Sequence, residues 1–310
     1  MLELPAKSYD LVGSIVLFKT PREEIEHSIA QFLRVPLRTH LCVIDNSPQP
    51  CVFSEYDPQR VSYFFANRNL GYGRAHNIAL RAAARRSPYS LIMNTDVTYE
   101  PRVVERLVQF LEAHPEAGLA GPKLRYPDGT LQYVCRLLPT PANMFLRRFA
   151  PRSAWTARSD ARYELRAWDH DTVANIPYFQ ASYVMVRTEL CNRVGGFDER
   201  FFLYGEDIDL TRRIHEVATT LYVPDVHVIH EYRRYSNSSW RGTWYGIQNN
   251  CRYFNKWGWF FDPGRRHINR KVLAALRATS SPHTNNTAAG TIADGHQNRE
   301  SDRTAGAASE

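Results

Sequence analysis

Short apolar runs alternate with amphipathic segments along the first 120 residues of the chain. Four runs have the length and β-branched content of buried strands: Leu11–Phe18, Leu41–Ile44, Val61–Phe65 and Leu91–Met93. After the first run, Thr20 followed by Pro21 and Glu23 is typical of a capped helix start with Thr20 as the N-cap. Strands and helices that alternate in this way predict an α/β fold, with a mostly parallel central sheet flanked by helices.

Polar side chains stand directly after three of the predicted strands. Asp45 follows the second strand, Asn67 and Asn69 follow the third, and Asp96 follows the fourth. A polar residue after one strand is typical of a turn, but ligands of open α/β sheets bind beyond the carboxyl ends of the strands. Because these side chains come from three strands, their convergence predicts a ligand site at that edge of the sheet.

Two glycines, Gly71 and Gly73, precede a predicted helix at Arg74–Arg86. A dinucleotide-binding GxGxxG motif would need glycine where the chain has His76, so a nicotinamide site is disfavoured. The alternative is that both glycines let the backbone approach a nucleotide whose phosphates face the helix N-terminus. Asn77, one turn inside the helix, is expected to face the same way.

The segment from Gly196 to Leu210 places five acids among aromatic side chains: Asp198, Glu199, Glu206, Asp207 and Asp209. Partial desolvation would raise the pKa of such a carboxylate toward the range of a general base. The alternative is a helix start whose first-turn acids complement the helix dipole. Asp209 lies about 200° round a helix from Asp207, so we expect Asp209 to pair with Arg212 or Arg213.

The second half of the chain has a less regular pattern. Residues 121–177 are predicted to be a basic insertion in the sheet, with a hairpin turn at Asp128-Gly129. The later predicted strands are Gln180–Arg187, Leu221–Val223 and Val226–His230. Nine aromatic residues from Trp240 to Phe261 fit a nucleic-acid stacking surface, a membrane-surface helix or an extra helical layer on the core. Beyond about residue 275 the composition predicts a disordered tail.

Charge and cysteine content narrow the class of protein. The 310 residues carry a net charge of +7, and residues 231–271 alone hold nine Lys/Arg against two Asp/Glu. Such a basic face suits nucleotide phosphates, anionic lipid or nucleic acid equally well. No apolar run approaches the roughly 18 residues of a membrane span. The lack of an apolar signal core and of any CxxC pattern among the five cysteines predicts a cytoplasmic protein without a disulfide framework or zinc site.

Five motifs in a fixed order make the chain resemble family 2 glycosyltransferases of the GT-A fold, especially the bacterial rhamnosyltransferase-like members that build surface polysaccharides. Within residues 11–260, the motifs are Val43–Ser47, Asn69–Gly73 with Asn77, Leu91–Asp96, Gly196–Phe202, and Gly205–Asp209 followed by His230. The resemblance implies a single GT-A domain at 8–270, with a nucleotide-binding half at 8–120 and an acceptor and catalytic half at 121–270. A C-terminal helical extension is also expected, followed by a disordered tail at 276–310.

The resemblance also implies which residues bind the donor and which take the proton. Asp45 would contact the base or ribose of the donor nucleotide. The implied donor pocket comprises Asp45, Asn69, Gly71, Gly73, Asn77 and Asn94. Asp207 matches the catalytic base of the family, with Glu206 beside it as the alternative.

Asp96 and His230 are the metal ligands that the resemblance implies. Asp96 matches the last acid of the metal-binding DxD motif, and His230 matches a late histidine that completes the metal shell in some members. Asn94 stands at the first DxD position, and since it carries no charge, weaker metal affinity is expected. A lone histidine at a strand end also fits a structural role. Oxygen ligands suit Mg²⁺ or Mn²⁺, and one imidazole favours Mn²⁺.

The implied activity is inverting transfer of a sugar from a nucleotide donor to a polysaccharide or lipid-linked glycan acceptor. The favoured donor is dTDP-rhamnose, and contact with an anionic membrane at its cytoplasmic face is expected. The alternatives are a UDP-hexose-dependent transferase and a non-catalytic nucleotide- or glycan-binding protein. A nucleotidyltransferase is disfavoured because Leu11–Thr20 holds one glycine and no Gly-rich loop. Nucleic acid is disfavoured as a partner because acids cluster where its groove would lie.

Overall fold

The apolar runs form the strands of a central sheet. The computed structural model of the protein describes residues 2–51, 56–149, 153–231 and 240–280. Its strands are β1 Leu11–Leu17, β2 Thr39–Asp45, β3 Val61–Phe65, β4 Tyr89–Met93, β5 Val97–Thr98, β6 Ala117–Arg125, β7 Cys135–Arg136, β8 Ala174–Asn175, β9 Tyr178–Phe179, β10 Tyr183–Arg187 and β11 Thr219–His230. Its helices are α1 Arg22–Leu33, α2 Tyr72–Ala83, α3 Pro101–Ala113, α4 Pro141–Phe149, α5 Ala154–Tyr163, α6 Thr188–Arg193, α7 Glu206–His215, α8 Trp240–Trp257 and α9 Pro263–Ser280.

Nine strands make up the sheet, in the order β3-β2-β1-β4-β10-β6-β11-β5, with β8 paired to β11. Neighbouring strands from β3 to β4 are parallel, β10 is antiparallel to both β4 and β6, and β6 is parallel to β11. The carboxyl ends of β2, β4 and β11 therefore reach the same edge of the sheet. The predicted α/β class with a mostly parallel sheet is confirmed.

Apolar side chains bury both faces of the sheet. One cluster joins β1 and β2 to the alanine-rich face of α2, and a larger cluster extends across the remaining strands, α1 and α3. The full burial of both faces explains why the strand sequences read as continuous apolar runs and not as alternating ones. All five cysteines are free.

Two local expectations need correction. Helix α1 begins at Arg22 with Pro21 as N-cap and has no side-chain cap, because the Thr20 hydroxyl accepts a hydrogen bond from Phe18 N instead. The two late strands predicted at 221–223 and 226–230 are one strand, β11, with an irregular register between Val223 and His227. Pro224 lies in that interval and lacks the N–H group that a regular ladder needs.

The predicted insertion contributes a second, two-stranded sheet and two helices. The turn at Asp128-Gly129 is present, with Tyr126 N donating to Thr130 O at 2.8 Å. Strands β7 and β9 pair antiparallel and place Arg136 opposite Tyr178. This small sheet packs against α7, which makes it a support for the acidic segment.

The region of the last two helices packs against α7. Arg212 of α7 forms a buried two-pronged ion pair with Asp262 at 2.7 and 2.8 Å, and its guanidinium stacks 3.8 Å from the Trp257 ring centroid. With Tyr253 and Phe254 of α8 buried, the helical-layer interpretation accounts for the inner face of this region. Residues 276–280, assigned to the tail from composition, are helical, and residues 281–310 lie outside the described part. Within the described helices, none combines the length and apolarity of a membrane span.

Candidate active site

Asp45 is the last residue of β2 and is fully buried. Its Oδ1 atom accepts a hydrogen bond from Ser47 N at 2.8 Å. Its Oδ2 atom accepts from Cys51 N at 3.0 Å and from the Tyr63 hydroxyl at 2.6 Å. Burial alone would raise the pKa of Asp45, but these hydrogen bonds outweigh burial and hold it below its usual value. Asp45 is thus an ionised carboxylate with three donors from the chain itself.

Asn69 and the two glycines form the turn into α2. Asn69 Oδ1 accepts from Gly71 N at 2.9 Å, as in an Asx turn. Gly71 has a φ of +83°, and a Cβ at this position would overlap the Phe202 carbonyl oxygen. A Cβ at Gly73 would lie 2.7 Å from Phe197 Cβ. The glycines therefore allow close packing of α2 on the 197–202 segment, a contact that the sequence did not suggest.

Asn77 is buried and joins α2 to the acidic segment. Its Oδ1 atom accepts from Phe197 N at 2.8 Å, and its Nδ2 atom donates to Phe197 O at 2.8 Å. The same Nδ2 atom lies 3.2 Å from Glu199 Oε1. Both amide atoms thus hold the loop that leads to the acids, whereas the sequence suggested that Asn77 faces the donor nucleotide.

Asn94, Asp96 and His230 come together at the carboxyl ends of β4 and β11. His230 Nε2 lies 3.3 Å from Asp96 Oδ1 and 3.4 Å from Asn94 Nδ2. The backbone fixes this approach, because β11 pairs with β5 at His230 and Glu231 N donates to Asp96 O at 3.0 Å. The histidine that the sequence placed 134 positions away from Asp96 is its direct neighbour in the fold.

Gln132, a residue that the sequence did not single out, orients His230. Its Nε2 atom donates to the carbonyl oxygens of His230 at 2.6 Å and of Arg125 at 3.3 Å, which turns Oε1 toward the imidazole. Oε1 accepts from His230 Nδ1 at 3.0 Å, so the proton of the neutral ring sits on Nδ1. Nε2 then presents its lone pair toward Asp96, as in metal sites with an oriented imidazole.

The side chains at this point fit a divalent cation that is shared with substrate oxygens. Asp96 supplies a carboxylate and His230 an imidazole, while Asn94 Oδ1 accepts from the Tyr72 hydroxyl at 2.9 Å. In the described ranges, no group of three or more His, Cys, Asp or Glu side chains could hold a metal by itself. A cation here would thus need oxygens of a bound diphosphate to fill its coordination shell.

Tyr72 bonds Asn94 and is close to the acids of the site. Its hydroxyl is 2.9 Å from Asn94 Oδ1 and 2.6 Å from the Ala181 carbonyl oxygen. Burial raises the pKa of Tyr72 well above its usual value, and the charges of Glu206, Asp207 and Asp96 raise it further. The phenol therefore bonds Asn94 and is close enough to Asp96, Glu206 and Asp207 for their charges to act on it.

Glu206 and Asp207 begin α7, behind Gly205 with a φ of +88°. Glu206 is buried, and its Oε2 atom has no hydrogen-bond partner among the described residues. Burial and the charge of Asp207 raise the pKa of Glu206 to about 8. Burial also raises the pKa of Asp207, which is partly exposed and accepts from Ile208 N at 2.8 Å. Glu206 thus keeps its proton at neutral pH, and Asp207 is the carboxylate that a substrate can reach.

Tyr178 and Arg136 stand behind Asp207. The Tyr178 hydroxyl donates to Asp207 Oδ2 at 3.3 Å, and Arg136 Nη1 donates to the Tyr178 oxygen at 3.4 Å. The guanidinium lies 5.7 Å from the Tyr178 ring centroid and 5.9 Å from that of Tyr163. The charge of Arg136 and the phenol hydrogen bond both lower the pKa of Asp207 and so oppose the effect of burial.

The other three acids of the segment are paired with cations. Their closest partners are Arg200 for Asp198 at 2.6 Å, Arg81 for Glu199 at 2.9 Å, and Lys256 and Arg213 for Asp209 at 2.7 and 2.8 Å. The expected Asp209–Arg213 pair is confirmed. By contrast, no Lys or Arg of the described ranges lies within salt-bridge distance of Glu206 or Asp207.

Gln132, Tyr72 and Tyr178 had no signal in the sequence beyond their residue type. Gln132 meets His230 across 98 positions, and Tyr178 meets Asp207 across 29. Both contacts depend on the pairing of short strands in the irregular half of the chain. Only the known position of those strands could have identified these residues.

The sequence matches a family model described as glycosyl transferase family 2 over residues 15–182, more than half of the chain. It is 30% identical over 177 residues to N-acetylglucosaminyl-diphospho-decaprenol L-rhamnosyltransferase of Mycobacterium tuberculosis, covering 52% of this chain and 56% of that protein. It is 41% identical over 109 residues to rhamnosyltransferase WbbL of Escherichia coli K12, covering 34% and 35%. The chain thus spans about half or less of the length of these curated relatives.

Solved structures share the fold. The crystal structure of GalNAc-T7 with UDP, GalNAc and Mn²⁺ superposes with a TM-score of 0.57 at 14% identity, over 82% of this chain and 49% of that chain. At such low identity the likeness concerns the fold alone. It confirms that the α/β architecture is that of GT-A glycosyltransferases.

Proposed function

This chain belongs to glycosyl transferase family 2, and we propose that it transfers a sugar, with inversion, from a nucleotide donor to an acceptor hydroxyl. One observation carries the proposal. Asp207 is a partly exposed carboxylate without a Lys or Arg at salt-bridge distance in the described ranges, and its charge, like that of Asp96, acts on Tyr72, whose hydroxyl bonds Asn94 Oδ1. A proton acceptor and a diphosphate-binding group in one site are what glycosyl transfer from a nucleotide sugar requires.

Asp207 acts as the general base. Its carboxylate takes the proton of the acceptor hydroxyl while the hydroxyl oxygen bonds to the anomeric carbon from the face opposite the leaving group. The bond from that carbon to the diphosphate breaks, and the nucleoside diphosphate departs with both electrons. Glu206, which keeps its own proton, leaves the pair with a single negative charge and therefore a single base.

Tyr178 and Arg136 position this base. The Tyr178 hydroxyl bonds Asp207 Oδ2 and Ile208 N bonds Oδ1, so the carboxylate is held at both oxygens and each keeps capacity for one more donor, such as the acceptor hydroxyl. Arg136 supplies a buried positive charge that favours the ionised form of Asp207. Without these two side chains, burial would hold more of the carboxyl in its protonated, inactive form.

Asp96 and His230 are proposed to hold Mn²⁺ or Mg²⁺, with His230 oriented by Gln132. When bound, the ion would neutralise charge on the departing diphosphate. One carboxylate and one imidazole favour Mn²⁺ over Mg²⁺. Asn94 contributes no charge, so affinity for the free ion should be weak and should rise when a nucleotide diphosphate is present.

The proposed donor is dTDP-rhamnose, in line with the names of the relatives from Mycobacterium tuberculosis and Escherichia coli. Asp45 is proposed to bind the base or ribose, because it is an ionised carboxylate at the end of β2, on the sheet edge that also carries Asp96 and His230. The rest of the proposed donor pocket is Asn69, Gly71, Gly73, Asn77 and Asn94, of which Asn77 would act by holding the neighbouring loop. A UDP-hexose donor is the alternative within the same reaction.

The proposed acceptor is a glycan or a lipid-linked glycan, as the name of the mycobacterial relative suggests for that protein. We also propose peripheral contact with an anionic membrane, for which the excess of basic residues in 231–271 is the support. A lipid-linked acceptor would reach the site most readily from a membrane surface. Nucleic acid is not a proposed partner.

Calorimetric titration with a panel of nucleotide sugars tests this function. The panel contains dTDP-rhamnose, UDP-glucose, UDP-N-acetylglucosamine, UDP-galactose and GDP-mannose, each with Mn²⁺, with Mg²⁺ and with EDTA. We expect selective binding of dTDP-rhamnose that EDTA weakens. Selective binding of a UDP-hexose would support the alternative donor. Donor affinity that is equal with and without EDTA would mean that Asp96 and His230 do not form a metal site.

A further inference from the structure

A groove of about 700 Å³ runs along α9, between this helix and the region of α4 and α5. Its lining is rich in arginine, with Arg162 from α5 and Arg266, Arg270 and Arg277 from α9. Among the residues that the structure describes, no acidic side chain lines it. A cavity of this composition favours an anionic partner and disfavours a cationic one.

The arginines of α9 form a stripe. Arg266, Arg270 and Arg277 follow at spacings of four and seven residues, which places them on one face of the helix. Residues 263–280 contain five Lys/Arg and no Asp or Glu. In the described chain, no carboxylate lies within salt-bridge distance of Arg162, Arg266 or Arg270, although all three are exposed. These charges therefore remain available to a partner.

Large aromatic side chains stand exposed beside the arginines. Phe260 and Phe261, just before α9, are 75% and 87% exposed, and Trp155 on α5 is 62% exposed. Phe260 also lines the groove. Exposed aromatic side chains next to a basic helical face are the composition of surfaces that lie in a membrane interface.

Buried polar contacts beside the stripe fix α9 to the rest of the protein. Arg265 is buried and donates to the carbonyl oxygens of Pro139 at 3.3 Å and Trp259 at 3.2 Å. Asn269 both donates to Leu138 O and accepts from Leu138 N at 2.9 Å. The helix is thus held by its own buried polar contacts, and its exposed stripe is not required for its packing.

We propose that the groove arginines and the Phe260–Phe261 pair dock on an anionic lipid bilayer, with the arginines on lipid phosphates and the phenyl rings in the interface. The inference rests on the membrane contact proposed above and locates it on α5 and α9. Charge complementarity selects the occupant, since phosphate groups match the arginines and a bilayer also receives the phenyl rings. A docked α9 would hold the catalytic half of the chain at the surface from which a lipid-linked acceptor comes.

Vesicle sedimentation of the full 310-residue chain tests the location. Vesicles of phosphatidylglycerol with phosphatidylcholine are compared with phosphatidylcholine alone, at low salt. Each interfacial arginine contributes about fivefold to binding, so R266Q/R270Q should bind anionic vesicles about 25-fold more weakly. The matched control is R102Q/R193Q, which removes two exposed charges elsewhere and should bind within about twofold of wild type.

The aromatic part is tested by F260S/F261S, which keeps every charge. We expect weaker binding to anionic vesicles at high salt, where the arginines are screened. Turnover on a water-soluble acceptor should be unchanged in all these variants, since none of the residues touches the proposed catalytic site. That readout also verifies folding.

The remaining outcomes overturn the inference in distinguishable ways. Equal losses in R266Q/R270Q and R102Q/R193Q would place the membrane contact elsewhere and leave the proposed contact itself intact. If the wild-type protein does not bind anionic vesicles, both the proposed membrane contact and its location on α5 and α9 are wrong. If inorganic phosphate displaces the protein from vesicles at matched ionic strength far better than chloride, or if a soluble polyanion binds more tightly than the vesicles, the groove is a site for that ligand instead.

Discussion

The pKa of Asp45 is lowered, whereas the pKa values of Glu206 and Asp207 are raised. Asp45 is fully buried but accepts three hydrogen bonds, and its pKa is below the usual value. Glu206 is equally buried, but its Oε2 atom is without a partner in the described ranges, and its pKa is raised to about 8. Both side chains are nearly inaccessible to solvent, so the difference comes from the donors that the fold supplies to Asp45 and from the charge of Asp207 beside Glu206.

The comparison separates acids that stabilise the fold from acids that can do chemistry. Asp198, Glu199 and Asp209 resemble Asp45 because the fold also stabilises their negative charge, in their case through ion pairs with arginine. A satisfied carboxylate is a poor base, since protonation would break the contacts that hold it. Asp207 has only neutral donors within hydrogen-bond distance, so proton uptake costs it less. That arrangement leaves Glu206 as a buried neighbour whose Oε2 atom has no partner in the described ranges.

The largest effect is expected for Asp207→Asn. An amide cannot take the acceptor proton, so turnover should fall by about 10²- to 10⁴-fold while donor affinity stays near that of wild type. Steady-state transfer assays and donor titration measure the two quantities. Asp209→Asn is the matched control two positions away, and it should lower the unfolding temperature but keep turnover within about tenfold. Full activity in Asp207→Asn would reassign the base.

Asp45→Ala should strongly destabilise the fold. Two backbone N–H groups and one phenol lose their acceptor, and the expected loss in the free energy of unfolding is roughly 3–5 kcal/mol. Urea unfolding measures it. The exposed acid Asp225, paired with Arg106, is the control, and Asp225→Ala should cost less than about 1 kcal/mol. Similar small losses in both variants would mean that Asp45 is not a structural acid.

Glu206→Gln should raise the free energy of unfolding, in contrast to Asp45→Ala, and so stabilise the protein. The folded pKa of about 8 lies above the unfolded value of 4.5, so the folded state holds a proton that the unfolded state releases. Wild-type stability therefore falls as pH rises from 4.5 toward 8. A glutamine removes that penalty, worth on the order of 3 kcal/mol at pH 7. Urea unfolding of both proteins at several pH values should show the gain disappear near pH 4.5; a gain independent of pH would contradict the raised pKa.

Tyr178→Phe is expected to have the smallest effect. Loss of the hydroxyl removes a hydrogen bond that favours ionised Asp207, so the acid limb of the rate profile should move to higher pH and turnover at neutral pH should fall about tenfold. Tyr222→Phe removes a buried hydroxyl that bonds the His170 carbonyl oxygen, away from Asp207. It should lower stability to a similar extent with an unchanged pH profile. An unshifted profile in Tyr178→Phe would limit Tyr178 to a structural role.

Residues that follow strands could be placed from sequence, because strand periodicity and sheet topology fix where a strand ends. Asp45 closes β2 and His230 closes β11 at the edge that the pattern indicated. The Asp209–Arg213 pair was also predictable, since helix spacing alone determines it. In each case the position of the residue within its strand or helix determines where its side chain points.

Contacts between distant, irregular segments could not be placed. The helix pattern predicted which way Asn77 points from α2. It could not predict that the loop at Phe197 lies in front of this side chain. Gly71 and Gly73 require glycine because of close approach, but the sequence could not show that Phe202 and Phe197 are the groups that approach them. The partners of Asp207 and His230 depend on where β7 to β9 lie. Tertiary packing, not local propensity, decides such positions.

The most direct test of the account is the pH dependence of transfer by Glu206→Gln beside wild type, at saturating donor and acceptor. If Asp207 is the base and Glu206 remains protonated, the variant should keep turnover within about tenfold and retain an acid limb, because the titrating carboxylate is still present. A Glu206→Gln protein that is folded and binds donor with wild-type affinity, yet has lost turnover to the level of Asp207→Asn, would contradict the account and make Glu206 the base.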